Sequence, residues 1–218
     1  MSFRTVIDSV LTRMREDTIG SDWTSILSTS SETDDYQKLI GELVNETKYY
    51  IEDAWNWGVL RTIETVTTVA STATYDMSGL DNRSRILQVI DNTNDHQLSQ
   101  IGDNDFYHFT YVGTTQTGQP THFRLIDNDI SFYPTPDAVY DIKVHAIQPQ
   151  DSRTLAADTF SIPEHLVILG AYALALNERG EDGGTLSDVA ATRFATALTD
   201  AISHDELRTV DEITWYAS

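Results

Sequence analysis

A chain of 218 residues with 40 % hydrophobic and 22 % charged side chains can bury a sizeable core. Acids outnumber bases 34 to 14, giving a formal charge of −20, and no Lys/Arg cluster stands along the chain, which argues against a DNA reader with a basic face. Cysteine is absent, so disulfides, thiolate zinc sites and a cysteine nucleophile are excluded.

No apolar run approaches the ~18 residues a membrane span requires, and the opening MSFRTVIDSV lacks the basic-then-apolar order of a secretory signal. Neither export nor membrane insertion is expected.

Phe3, Val6, Ile7, Val10, Leu11 and Met14 recur at helical spacing. Gly20-Ser21-Asp22 ends that segment, and Trp23, Ile26 and Leu27 are packing anchors of the linker that follows. Ser31-x-x-Asp34 has the form of a helix N-cap. From there Tyr36, Leu39, Ile40, Leu43, Val44, Thr47, Tyr50, Ile51, Ala54 and Trp55 repeat at three and four, predicting one long helix over 32–57 that Gly58 closes.

After Gly58 the chain turns rich in β-branched residues, which suit strands better than helices. Strands are expected at 85–90, 97–99, 121–125, 129–133 and 139–147, separated by Asx-, Gly- and Pro-rich turns. Phe106–Val112 fits a short helix or a strand equally. Helix returns at Pro163, with a small-residue face of Gly170, Ala171, Ala173 and Ala175 that lets another helix approach. Glu178–Gly184 is a polar break. Residues 185–202 form the next helix, with Val189, Ala190, Phe194, Ala195, Leu198 and Ile202 on its apolar side. The expected fold is α+β: a four-helix bundle from 1–58 and 151–204, a β-sandwich or barrel-like domain inserted at 59–150, and a C-terminal arm at 205–218.

Catalytic chemistry is sparse. His96, His108, His122, His145, His165 and His204 show no HxxxH or HExxH spacing, and His145 sits in an alternating strand as a structural residue. Phosphate loops and a GxSxG elbow are absent. The pairs Asp91/Asp95, Asp103/Asp105 and Asp127/Asp129 lack the rest of an EF-hand loop and read as turn formers. No catalytic residue, metal ligand or cofactor site is assigned.

One stretch is more specific. Gly118-Gln119-Pro120-Thr121-His122-Phe123-Arg124-Leu125 leads through Asp129-Ile130-Ser131-Phe132-Tyr133-Pro134-Thr135-Pro136-Asp137 to Tyr140-Asp141-Ile142-Lys143-Val144. This strand, turn, strand, Pro-x-Pro corner and strand resembles the pattern of phage head-to-tail adaptors akin to the tail tubular protein A of short-tailed phages. Trp55-Asn56-Trp57 looks like that family's helix-to-β transition, and Leu155, Asp158, Ile162-Pro163 and the helix from Glu164 to Asn177 resemble its C-terminal segment. The likeness spans roughly 30–200. It departs from the pattern at Gly79-Leu80-Asp81-Asn82-Arg83, where the family has Leu-Pro and a basic residue.

The resemblance implies a non-enzymatic virion protein, synthesised in the host cytoplasm. It implies a homo-oligomeric ring of about twelve copies between the portal protein and a tail or nozzle protein, with DNA passing through the channel without sequence-specific binding. Twelve copies at −20 would carry a formal charge of about −240, and an acid-lined lumen would repel phosphates. Ile213, Trp215 and Tyr216 are the residues assigned to portal docking, as aromatic and apolar anchors on an arm. Two other classes stay open: a β-sandwich module of a tail component recognising glycan or protein, and a hydrolase using paired carboxylates.

Overall fold

The computed structural model describes residues 1–19, 23–26, 35–112, 116–180 and 184–208. The helix start expected at Ser31 to Asp34, Leu27, the glycine turn at 20–22 and the arm residues Ile213, Trp215 and Tyr216 lie outside them. The protein is mixed α+β, with five α-helices and two sheets among the described residues. No described helix is long and apolar enough to cross a membrane. Contacts divide the chain into two compact units, one of Met1–Leu60 with Gln150–Ser218 and the other of Arg61–Pro149.

The first unit contains α1 (Phe3–Met14), α2 (Asp35–Ala54), α4 (Glu164–Arg179) and α5 (Thr185–Glu206). Ser2 caps α1 by accepting from the Thr5 N–H, and all six apolar residues of the predicted stripe are buried. Trp23 and Ile26 are buried as anchors. Helix α4 packs against α1, α2 and α5. Gly170 makes this possible. A Cβ there would overlap the Thr47 methyl of α2 and stand 3.0 Å from Phe194 Cε2 of α5.

Helix α2 stops at Ala54, short of the predicted 57. Trp57 folds back, is buried, and donates its indole N–H to the Ile51 carbonyl at 2.7 Å, occupying an acceptor at the helix end. Helix α5 runs past the expected 202 to Glu206, because Asp205 is tied down. Its Oδ2 accepts from Trp55 Nε1 at 3.1 Å and from the Gly58 N–H at 3.0 Å.

The second unit contains α3 (Asp103–Tyr107) and eight strands: β1 (Arg61–Thr67), β2 (Thr74–Asp76), β3 (Arg85–Asp91), β4 (His96–Gln97), β5 (Ser99–Gln100), β6 (His122–Ile126), β7 (Asp129–Tyr133) and β8 (Asp141–Ile147). They form two four-stranded sheets, ordered β1-β8-β3-β4 and β2-β7-β6-β5. Both feed one core that includes Val66, Val89, Ile142 and Val144 from the first sheet and Phe123, Ile130 and Phe132 from the second. Alternation along β8 puts one face of the first sheet inward. Arg61 pairs with Ile147, so the unit's two chain ends lie together.

The return strand expected at 97–99 is two strands in different sheets. Leu98, buried in the core, is the crossing point. Its N–H still bonds Val89 of β3, whereas the Ser99 N–H already bonds Thr121, just before β6. Residues 106–112 resolve into the end of α3 and a wide π turn over His108–Val112. The strand expected from 139 starts at Asp141, since Val139 is exposed.

Candidate interaction surfaces

The buried face of α2 keeps Ile40, Val44, Thr47 and Ile51 of the predicted stripe and widens on one side to polar residues. Asn45, Lys48 and Glu52 are buried, while Tyr50, read as core, is 61 % exposed. The cause is the returning chain at 150–153, which lies along this face. Asn45 accepts from the Arg153 N–H at 2.8 Å and donates to its carbonyl at 2.9 Å. Lys48 donates to the Gln150 carbonyl, and Glu52 accepts from the Gln150 N–H at 3.2 Å. Tyr49 reaches the Ser152 hydroxyl. Asp158 then accepts from the N–H groups of Thr154 and Leu155, and its own carbonyl accepts from the Phe3 N–H. Residues 150–158 are therefore held by main-chain bonds to side chains that helical periodicity alone does not pick out.

The exposed apolar side chains of the helical unit include Tyr50 on α2 and Leu186 and Val189 on α5. Tyr50 and Phe194 are ring neighbours, 5.9 Å between centroids, and with Ala173, Leu174 and Ala191 line an apolar groove of about 220 Å³. On α5 only Ser187, Ala190 and Leu198 are buried, and Leu186 and Val189 face outward. Of the predicted apolar side of α5, Ala190 and Leu198 are buried, Phe194 and Ile202 are half-buried, and Val189 and Ala195 are exposed.

Three arginines that are scattered in sequence meet in space. Arg13, Arg15 and Arg179 line a cavity of about 360 Å³ with Tyr172, Leu176 and Leu186. The absence of a basic cluster holds along the chain but not in the fold. Arg179 pairs with Glu16 at 2.8 Å and donates to the Met14 carbonyl. A second, larger cavity of about 540 Å³ is lined by His165, Asp200, His204 and Asp205, among others; Asp205 is already engaged by Trp55 and Gly58.

On the β unit, α3 and the π turn form an aromatic ledge. Tyr107, Phe109 and Tyr111 are exposed, Tyr111 by 76 %, and Tyr107 stacks on Tyr111 with centroids 5.9 Å apart. Phe109 stacks on Tyr133 at 5.1 Å. Arg124 supports the ledge from below. Its guanidinium lies 3.9 Å from the Phe106 ring centroid and 4.7 Å from that of Tyr107, and pairs with Asp103 at 3.6 Å.

The acidic pairs serve turns where they are engaged. Asp91 is buried and accepts from the N–H groups of Thr93 and Asn94 and from the amides of Asn94 and Gln119. Asp95 and Asp127 take left-handed turn conformations, φ 52° and 51°. At the Pro-x-Pro corner the Asp137 carboxylate accepts from Tyr140 Oη, and that hydrogen bond, with burial and the charges of Asp137 and Asp91, holds the Tyr140 phenol above its ordinary range. His145 stands half-buried in β8, and His122 Nδ1 meets the Thr121 hydroxyl. Among the described residues no group of three or more His, Asp or Glu could hold a metal ion.

No curated protein matches the chain. The model of the SU10 adaptor protein family matches residues 1–216, nearly the whole chain. The chain therefore belongs to the SU10 adaptor protein family and is a structural adaptor of a phage virion.

Proposed function

We propose that this adaptor forms a ring of about twelve copies between the portal and the tail, continuing the DNA channel. The observation that carries the reading is the family match over 1–216. Exposed Tyr50, Leu186 and Val189 on a unit that already has its own core support it. Large apolar side chains left outside a packed unit are the usual mark of a protein interface, and a closed ring covers such surfaces without leaving a free end.

In this reading α1, α2, α4 and α5 form a four-helix bundle built from 1–58 and 151–204, which makes the ring wall. The β domain at 59–150 is available for tail contacts, and the segment 205–218 carries Ile213, Trp215 and Tyr216 to the portal. In such a ring, with −20 per copy, an acid-lined lumen would repel DNA phosphates and let the genome slide. The test is the mass of the protein alone and after mixing with purified portal. A discrete multimer on the portal is the expected result, and a monomer that ignores the portal overturns the reading. For the arm, the informative deletion is 209–218, because Asp205 holds Trp55 and Gly58 and must stay. Unchanged portal binding by that truncation removes the arm from the proposal.

A second reading has one observation in its favour. The exposed Tyr107/Tyr111 pair offers stacked rings of the kind that a glycan or an apolar protein surface can cover. Glycan binding by the isolated monomer, abolished by Tyr111→Ala, would replace the ring with a β-sandwich binding module.

A further inference from the structure

In a chain with 34 acids and 14 bases, a basic side chain readily finds a carboxylate. Arg4, Lys38, Lys48, Lys143 and Arg179 each have one within 4 Å. Arg13 and Arg15 have none among the described residues. The Arg13 guanidinium lies over the Tyr172 ring, 5.9 Å from its centroid. Arg15 also occupies the C-cap of α1 at φ 60°, a left-handed position where glycine is the default. Both line the cavity shared with Arg179, beside Leu186, which is 56 % exposed. Arg179 is matched by Glu16, whereas Arg13 and Arg15 stand beside the apolar wall with no carboxylate within 4 Å among the described residues.

The same unit carries the complementary surface. Glu42, Glu46, Tyr50 and Asp53 are exposed on α2 at spacings of four, four and three, which is one stripe of the helix. Glu46 and Tyr50 also border the groove lined by Gly170, Ala173 and Leu174 of α4. The arginine cavity uses Tyr172, Leu176 and Arg179 of the same helix. At about 100° per residue these two sets lie on opposite sides of α4. One molecule therefore presents arginines on one side and carboxylates around an aromatic on the other.

We propose that the Arg13–Arg15–Arg179 cavity receives the Glu42–Glu46–Tyr50 stripe of a second copy of this chain. The contact is heterologous, two different patches meeting head to tail, which is the kind that propagates around a ring. The inference rests on the ring reading and specifies its lateral interface. Matched charges order the approach, and Tyr50 and Leu186 supply the apolar area that closes over them.

The chain has no cysteine, so engineered pairs can trap the contact even where association is transient. Arg15→Cys combined with Glu46→Cys in one full-length chain, oxidised in solution and on purified portal, is expected to give a covalent ladder of dimers, trimers and higher forms. Each single variant alone is expected to give none of it beyond a dimer. The ladder is expected to fade at 1 M salt, where screening cuts the Debye length to about 3 Å. In parallel, R13E/R15E and E42R/E46R, each folded by circular dichroism, are expected to fail to assemble alone and to assemble when mixed, because each restores the other's missing charge. Wild-type rings with no ladder, and undisturbed assembly of R13E/R15E, overturn this interface and leave the ring standing. No wild-type ring on the portal overturns the ring and this interface with it.

Discussion

Lys48 and Glu52 stand one turn apart on α2, Nζ 3.1 Å from Oε2, and neither side chain has any solvent exposure. A buried ion pair gains little over apolar residues of the same shape, but removing one partner leaves a charge without water or counter-ion. Here both partners also hold Gln150, one through its carbonyl and the other through its N–H. Lys48→Met is therefore expected to destabilise by about 3–5 kcal/mol. The K48M/E52L double variant is expected to cost less than the sum of the two singles, yet not to reach neutrality, since two main-chain groups lose partners at about 1–3 kcal/mol each. Urea unfolding followed by circular dichroism on all four members of the cycle measures this. Additive single costs would mean that the pair is not coupled.

The Lys48–Glu52 seam also shows what could be read in advance and what could not. Period-3.6 patterning located α1, α2, α4 and α5, because each buries one stripe and the stripe is written in apolar residues. On α2 it found Ile40, Val44, Thr47 and Ile51, all buried, but it placed Tyr50 in the core and missed the polar residues beside that stripe. The inward residues Asn45, Lys48 and Glu52 are polar, and their partners at 150–153 are about a hundred positions away. The strand at 129–133 was legible to the residue, since Asp127-Asn128 and Pro134 punctuate both ends. The two-residue strands β4 and β5 were not, because a change of sheet at Leu98 leaves no mark in local alternation. The arginine cavity was invisible for the same reason as the seam: Arg13 and Arg179 become neighbours only through packing of α1 on α4.

Gly170 lies under both the Thr47 methyl and the Phe194 ring. Alanine gains about 1 kcal/mol in helix propensity at such a site, but the added methyl must displace α2 or α5, and overpacking costs about 1–3 kcal/mol. Gly170→Ala is expected to lower the melting temperature and Gly170→Val to lower it further. Thr47→Ser deletes the clashing Cγ2, so G170A should cost less in the T47S background than in the wild type. An equal cost in both backgrounds would show that Thr47 is not what Gly170 makes room for.

Arg124 spans Phe106, Tyr107 and Asp103, joining β6 to the helix beneath the aromatic ledge. A planar guanidinium can stack on the rings and reach the carboxylate at once, which an ammonium cannot. Both Arg124→Ala and Arg124→Lys are therefore expected to loosen residues 103–112, with lysine recovering less than half of the loss. Amide hydrogen exchange of that segment reports the effect, which is expected to amount to about 1–2 kcal/mol of local opening. Unchanged protection in R124K would assign the role to charge alone.

Asp205 closes the helical unit at its far end by accepting from Trp55 Nε1 and the Gly58 N–H. The residue lies at the C-terminal end of α5, where the helix dipole disfavours a carboxylate, so its presence there answers to these two donors. Asp205→Ala leaves both donors without this acceptor, at about 1–3 kcal/mol. Asp205→Asn keeps one acceptor oxygen and removes the charge, so it should fall between alanine and wild type. Exchange of the Gly58 amide and the Trp55 indole proton, read by NMR, is expected to quicken in that order. A chain ending at 208 should retain wild-type protection at both groups, whereas a chain ending at 204 should match D205A or exceed its loss. If the 208 truncation already loses protection, residues beyond it contribute to holding α5, and its loss of portal binding could not then be assigned to the arm's own contacts.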